Sequence, residues 1–198
     1  YAAFYSVSAF NNGGFSLFPN SLMNFSGQYL ITFTISMLYI IGGTGFVVLM
    51  DIKRSKRWKG LSTNSKLILS TIAGLNLIAF VLLWAIESNN PLTLAPMSLG
   101  DQALNAWFHA TVPRSSGFNS LDLAQMKDAS TLVTMLLMFI GGGSMSTAGG
   151  IKVGTFIIVL LSVISFLRRE DEIRVFNHSV SQKTSFKAMA VVSITSAL

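Results

Sequence analysis

A glycine-rich stretch lies in the middle of apolar sequence and constrains what this chain can fold into. Residues 141–152 read GGGSMSTAGGIK, and Lys152 is the only charged residue between Ala129 and Leu167. Glycine-rich backbone in lipid would leave amide and carbonyl groups unsatisfied, so it is tolerated only where protein buries it or where it lines a water-filled cavity. The stretch therefore predicts a broken transmembrane helix beside an aqueous path, which indicates ion or solute transport.

Length gives a second reason to expect a break in this segment. Residues 129–167 would measure about 60 Å as one straight helix, roughly twice the 30 Å thickness of a hydrocarbon core. Residues 141–150 contain five glycines, two serines and a threonine, a composition that forms helix poorly. Close packing of helices through small residues is the alternative, and we favour a mobile constriction, or gate. Its assigned residues are Gly141, Gly142, Gly143, Ser144, Met145, Ser146, Thr147, Ala148, Gly149, Gly150 and Lys152.

Two side chains of this gate leave alternatives open. The bulk of Met145 either plugs the path or packs against a neighbour. Lys152 is an intramembrane charge, which is a functional hypothesis by default, and it either contacts the gate or reaches toward the cytoplasm. The segment lacks the G-x-x-x-x-G-K-[ST] order of a phosphate-binding loop, so we do not expect nucleotide to bind there.

Composition places the chain in a membrane. Its 198 residues are 51% hydrophobic and 11% charged, with a mean hydropathy of +0.58, whereas soluble domains carry about 25% charged residues. Uncharged runs at 28–50 and 67–86 are each long enough to cross a bilayer as a helix. We therefore expect an all-α, multi-pass membrane protein. With no cysteine, it has no disulfide framework and no cysteine metal site.

The positive charge follows a membrane topology and does not indicate nucleic acid. The formal net charge is +6, but most basic residues lie in two segments, 51–66 and 168–187. Basic residues gathered in alternate loops mark the cytoplasmic side. We therefore expect both segments to be cytoplasmic and expect no nucleic-acid partner.

Two parts of the chain repeat the same order of features. Short apolar segments at 1–10 and 101–112 each precede a small, polar, glycine-phenylalanine step, NGGFS at 12–16 and SSGFN at 115–119. A half-helix, a glycine turn and a returning helix form a re-entrant pore loop, whose carbonyls replace the hydration shell of a cation. Ordinary turn glycines are the alternative. The candidate filter residues are Asn11, Asn12, Gly13 and Gly14 in one turn and Ser115, Ser116 and Gly117 in the other.

Residues beside these turns receive structural interpretations. We expect Gly42, Gly43 and Gly45 to allow close helix packing. Arg114 would repel cations if it faced the ion, so it braces the filter backbone or faces outer water. His109 is expected to pack within its short helix.

At these residues the chain resembles the Trk/Ktr/HKT superfamily of potassium transporters, and most of all the bacterial Ktr pore subunit. SAFNNGGFSL at 8–17 is similar to the second repeat's pore-helix end and filter, and ATVPRSSGFNSLD at 110–122 to the third. GGGSMSTAGGIKV at 141–153 is similar to the gating loop in the third repeat's inner helix. The resemblance implies four helix–pore-loop–helix repeats around one ion path, so we expect this chain to be an internal part of a longer protein.

The resemblance also implies a domain organisation. It assigns 1–50 to the second repeat's pore helix, filter and inner helix; 51–66 to a basic cytoplasmic loop; 67–167 to the third repeat, with outer helix 67–86, pore helix and filter 101–119 and broken inner helix 128–167 holding the gating loop 141–150; 168–184 to a second cytoplasmic loop; and 185–198 to the start of the fourth repeat's outer helix.

The function implied is potassium uptake through a filter whose backbone carbonyls bind K⁺. A sodium–potassium symporter-like member, with Na⁺ as a further ion, is one alternative, and a non-conducting membrane scaffold is another. An enzyme is not expected, because the acidic residues all lie at loops or boundaries and the sequence suggests no nucleophile–base pair. The implied partners are a second copy of the chain, membrane lipid and a cytoplasmic regulatory ring that alone binds nucleotide. The implied location is the cell (inner) membrane.

Overall fold

A computed structural model describes residues 1–114, 116–168, 173–175, 178–180 and 182–197. The helices are α1 (Ala2–Phe10), α2 (Tyr29–Thr44), α3 (Phe46–Ser55), α4 (Thr63–Glu87), α5 (Leu99–Thr111), α6 (Asp128–Phe139), α7 (Val153–Leu167) and α8 (Gln182–Ala197), with 3₁₀ turns at Met23–Phe25, Trp58–Gly60 and Leu123–Gln125. Strands β1 (Ile173–Val175) and β2 (His178–Val180) pair antiparallel. The fold is all-α, as predicted, apart from this hairpin in the segment expected to be a cytoplasmic loop.

The long helix α4 shows how the chain suits a bilayer. Its buried residues recur every three or four positions and so form one stripe. Three of the apolar side chains on the opposite face, Leu77, Ile78 and Val81, are more than half exposed. The buried stripe consists of Ser65, Ile68, Ile72, Asn76, Ala79, Leu83 and Glu87. Polar groups inside and apolar groups outside are the arrangement that a lipid solvent favours.

The helix predicted over 28–50 is interrupted, which corrects the expectation of one continuous span. α2 ends and α3 begins around Gly45, whose φ is 102°, and the two helices meet at a bend of 95°. Among the described residues, α4 is the one unbroken helix long and apolar enough to cross a membrane, and α2 with α3 would make a second, broken span.

The two short helices, α1 and α5, each pack on a longer helix. α1 packs on α2, and α5 packs on α4 and also contacts α2, so the helices before and after the two glycine turns share one core. The largest cluster of buried side chains in that core consists of Tyr5, Ala9, Leu22, Ile35, Tyr39, Phe108, Val112 and Phe118. Because both turns follow these short helices, this packing sets where the turns lie.

A buried carboxylate fixes the far end of α4. Glu87 is 1% exposed, and its Oε2 accepts hydrogen bonds from Asn90 Nδ2 at 2.7 Å and Thr93 Oγ1 at 2.6 Å. Its Oε1 accepts from the backbone amide of Lys127 at 2.8 Å. The carboxylate thereby ties the turn after α4 to the residue that precedes α6.

Candidate functional site

The two glycine turns lie against each other. Gly14 has a φ of +66° and Gly117 a φ of +75°, a backbone conformation in which a side chain is strained. A Cβ built on Gly14 would lie 2.9 Å from the Cα of Gly117, and one built on Gly117 would lie 3.3 Å from the Cα of Gly14. The fold therefore brings together two glycines that the sequence analysis selected separately.

The first turn directs its amides back into the preceding helix. The backbone N–H groups of residues 11–13 donate to carbonyls near the end of α1 at 2.9–3.0 Å. Ser8 Oγ donates to the carbonyl of Phe15 at 3.0 Å, which holds the chain as it leaves the turn. In the part of the chain that the structure describes, the carbonyls of Gly13 and Gly14 accept no hydrogen bond. Such carbonyls can coordinate a cation.

The second turn is held by hydrogen bonds to residues that follow the first turn. The amide of Ser116 donates to the carbonyl of Val112 at 3.0 Å. Beyond the turn, the amide of Asn119 donates to Ser21 Oγ at 3.0 Å, and its carbonyl accepts from the amide of Leu22 at 2.9 Å. The segments that follow the two turns are thus bonded to each other. Ser115, the remaining filter candidate, lies outside the described residues.

Residues 141–150, which we call the glycine loop, are closed by hydrogen bonds between residues at or next to their two ends. The amide of Gly141 donates to the carbonyl of Ile151 at 2.8 Å, and the amide of Val153 donates to the carbonyl of Gly142 at 2.9 Å. These bonds bring the end of α6 next to the start of α7. The inner helix is therefore broken where the glycines predict it, and the glycine loop is a compact element.

The glycine loop fills the break between α2 and α3. The amide of Gly143 donates to the carbonyl of Gly43 at 2.8 Å, and the amide of Phe46 donates to the carbonyl of Met145 at 3.1 Å. Helix ends leave such groups without partners, so the loop and the helix break satisfy each other. A Cβ on Gly143 would overlap the carbonyl oxygen of Thr44.

The helix glycines divide into two roles. Gly42 lies so close to the carbonyl of Phe10 that a Cβ there would overlap its oxygen, in agreement with the predicted close packing. Gly45 instead forms the helix break itself, where a Cβ would overlap the carbonyl oxygen of Ser144. The sequence interpretation of Gly45 as a packing glycine within one helix was therefore incomplete.

The tip of the glycine loop reaches the first turn. Asn12 Nδ2 donates to Thr147 Oγ1 at 2.8 Å and to the carbonyl of Tyr39 at 3.3 Å. Thr147 Oγ1 in turn donates to the carbonyl of Phe10 at 3.2 Å. Candidate filter and candidate gate residues are thus in direct contact.

The structure shows what Lys152 and Met145 contact within the described chain. Lys152 Nζ donates to the carbonyl of Ala148 at 2.7 Å, so it contacts the glycine loop. Met145 has a φ of +55° and is 71% exposed, so it projects from the loop instead of packing within the described chain.

Comparison with known proteins identifies the family of this chain. Residues 1–192 match the TrkH family of cation transport proteins. The chain belongs to this family. The family predicted from the sequence is therefore confirmed. It is a family of cation transport proteins, which supports the expected membrane location, and the relatives described below are named as uptake proteins and not as enzymes.

Relatives of this TrkH family member cover almost the whole chain. It is 44% identical over 98% of its length to the Ktr system potassium uptake protein B of Bacillus subtilis, and 40% identical over its full length to that of Vibrio alginolyticus. It is 34% identical, again over its full length, to the potassium/sodium uptake protein NtpJ of Enterococcus hirae. The chain spans 43%, 44% and 44% of these three relatives.

The fold is also similar to that of a solved structure. The potassium transporter TrkH from Vibrio parahaemolyticus matches with a TM-score of 0.75 and 22% identity, covering 94% of this chain and 40% of that one. The likeness shows that this chain has the same all-α fold.

Arg114, beside the second turn, is buried and braced against α4. It is 8% exposed, and its Nη2 donates to Asn76 Oδ1 on α4. Its burial argues against the outer-water alternative, and its partner among the described residues is a side chain on α4 and not the filter backbone. A cavity of about 20 Å³ lies between Arg114, Asn12 and Gly142, which is room for one water molecule.

Several positioning residues were missed or only partly read from the sequence. The hydroxyl of Tyr5 bonds Ser16 Oγ at 2.8 Å and accepts from the amide of Leu17 at 3.1 Å, so it holds the exit from the first turn. His109 is buried, as expected, but its Nε2 also accepts from the amide of Leu121 at 3.1 Å beyond the second turn. The sequence signal for this role was the polar imidazole of His109 near the end of the short helix α5.

Proposed function

We propose that this chain forms part of a potassium uptake pore in the cell membrane, crossing the membrane several times. The observation that carries the proposal is the contact between Gly14 and Gly117, both with positive φ, from two turns that each follow a short helix. Potassium uptake is the activity named for the two most similar of the relatives described above.

The proposed filter uses the backbone carbonyls of residues 11–14 and 115–117. Carbonyl oxygens replace part of the hydration shell of K⁺ as it enters. α1 and α5 both end just before these turns, so their C-terminal ends add partial negative charge, which favours a cation.

The proposed gate is the glycine loop at 141–150. Its contact with residues 10–12 places it at the base of the first turn, and conduction requires it to leave that position. Bonds from the loop to the α2–α3 break and from Lys152 to Ala148 hold the loop in one discrete arrangement, which we take as the closed state. A switching element needs such discrete arrangements.

The proposed regulation comes from the cytoplasm. The Ktr relatives are named as parts of a system, which supports a partner subunit for this chain. We propose a dimer of pore subunits on a cytoplasmic ring, with nucleotide bound only by the ring. The helix α7, which begins directly after Lys152, would transmit the movement of the ring to the glycine loop.

Sodium coupling is the second candidate. It is favoured by the 34% identity to a protein named for potassium and sodium uptake. Both candidates use the same filter turns, so they differ in which ions cross together.

Flux measurements on the full-length protein in proteoliposomes test both candidates. Selective K⁺ flux without Na⁺ movement supports the pore, and K⁺ flux that requires Na⁺ supports coupling. Deleting part of 141–150 is expected to raise K⁺ flux and weaken control by the regulatory partner. A folded protein that carries neither ion would overturn the proposal in favour of a scaffold.

A further inference from the structure

We propose that Asn12 and Thr147 form a latch through which the glycine loop and the first filter turn hold each other in place. The inference rests on the proposed function, since it assumes that K⁺ binds the turn and that the loop moves. Its evidence is the hydrogen bond of 2.8 Å between Asn12 Nδ2 and Thr147 Oγ1, which joins two separate parts of the chain.

Asn12 is held in a backbone conformation that its side-chain contacts support. Its φ is +53°, in the left-handed region that is uncommon for residues other than glycine. Its side chain is 8% exposed, and the two N–H groups of its amide have two acceptors, Thr147 Oγ1 and the carbonyl of Tyr39. The side chain therefore stabilises the turn only while both acceptors stay in place.

Thr147 uses both hydrogen-bonding capacities of its hydroxyl at the end of α1. It accepts from Asn12 and donates to the carbonyl of Phe10 at 3.2 Å. Thr147 itself is exposed in the described chain, so water can replace its partners when the loop moves. Asn12 is buried beside the loop, and its amide loses one of its two acceptors when the loop moves. Opening of the loop therefore removes a contact that orders the filter turn.

The shared hydrogen bond couples the two elements. A cation that orders the first turn favours the latched loop, and by thermodynamic reciprocity the latched loop favours the cation. Loop opening is thus expected to lower the affinity of the first turn for K⁺. The ion is then released from the turn when the loop leaves the ion path.

A thiol reporter in the loop tests the coupling in the full-length protein. Ser146 Oγ is buried and has no hydrogen-bond partner among the described residues, and the sequence contains no native cysteine. The variant Ser146→Cys therefore places one thiol where loop opening exposes it. Its rate of modification is measured in K⁺, in Na⁺ and in N-methylglucamine, with native cysteines outside this sequence replaced beforehand.

We expect K⁺ to slow modification about threefold to tenfold relative to N-methylglucamine, the range expected for one net hydrogen bond. Adding Thr147→Val, which keeps the side-chain shape, is expected to abolish that protection. Thr147→Ser is expected to keep it. The matched control is Thr131→Val on α6, whose exposed hydroxyl bonds the carbonyl of Lys127 in its own helix turn, and it should leave protection intact.

A double-variant cycle identifies the partner. Asn12→Gly removes the side-chain amide but accepts the positive φ without strain, so it separates the latch from the shape of the turn. Asn12→Gly and Thr147→Val should each abolish protection, and the double variant should match either single one. Partial losses that add in the double variant, or protection that survives Thr147→Val, would overturn the latch.

Failure of the latch and failure of the proposed function give different results. If the proposed function is wrong, the unsubstituted full-length protein carries no K⁺ and Ser146→Cys shows no difference between K⁺ and N-methylglucamine, which removes the latch as well. If only the latch is wrong, the unsubstituted protein conducts, K⁺ protects Ser146→Cys, and adding Thr147→Val leaves that protection unchanged.

Discussion

Replacing Gly14 with alanine should reduce K⁺ selectivity more than replacing Gly117. Both positions have positive φ, which costs a residue with a Cβ roughly 1–2 kcal/mol. At Gly117 the added Cβ would lie 3.3 Å from one backbone atom, the Cα of Gly14, a contact that small movements can relieve. At Gly14 it would overlap the carbonyl oxygen of Ser116 and lie 2.9 Å from the Cα of Gly117.

The sizes of the two effects follow from this geometry. Because about 1.4 kcal/mol corresponds to a factor of ten, relief of this strain by distortion of the filter sets an upper limit of about tenfold to thirtyfold on the loss of K⁺-over-Na⁺ selectivity in Gly117→Ala. Gly14→Ala adds a clash between backbone atoms that no rotamer relieves, so its loss should be larger. It should also displace the carbonyl of Ser116 from the neighbouring turn.

The assay is K⁺ and Na⁺ flux through the full-length protein in proteoliposomes. Gly74→Ala is the matched control, because a methyl group added to that helical glycine would meet no neighbouring atom of the described chain within 4 Å, and its φ is not positive. It should leave selectivity unchanged and stabilise α4 by up to about 1 kcal/mol. Selectivity in Gly14→Ala equal to that of the Gly74→Ala control would refute the filter assignment, and a larger loss at Gly117 than at Gly14 would refute the steric reasoning.

Three other predictions address the gate, the brace and the cytoplasmic side. Gly143→Ala should push the glycine loop off the α2–α3 break, since the methyl would overlap the carbonyl of Thr44; the ratio of K⁺ flux with and without the regulatory partner should fall, and a normal ratio would contradict a gating role. Asn76→Ala should leave the guanidinium of Arg114 buried without its acceptor and lower stability by about 1–3 kcal/mol, seen as a lower Tm in detergent, whereas an unchanged Tm would exclude the brace. Neutralising the first basic loop should weaken co-elution with the regulatory ring, and co-elution with topology both unchanged would place the contact elsewhere. The residues to neutralise there are Lys53, Arg54, Lys56 and Arg57.

The sequence by itself determined the class of protein and the location of the broken helix. Lipid cannot satisfy polar backbone, so a run of glycines between uncharged segments predicts a loop at 141–150 without any tertiary information. The two turns were predicted from a repeat within the sequence, since the small-polar, glycine-phenylalanine step occurs at both 12–16 and 115–119. Local composition and periodicity carry these features.

Only the tertiary structure decided what these elements contact. The glycines at 42, 43 and 45 are compatible with close helix packing and with a helix break, and the sequence alone does not choose between the two. The break depends on the glycine loop satisfying the carbonyl of Gly43 and the amide of Phe46. The bond between Asn12 and Thr147 joins residues far apart in the chain. Such contacts depend on how helices pack, and packing is fixed by the shapes of many side chains at once, which a linear pattern of residue types does not record.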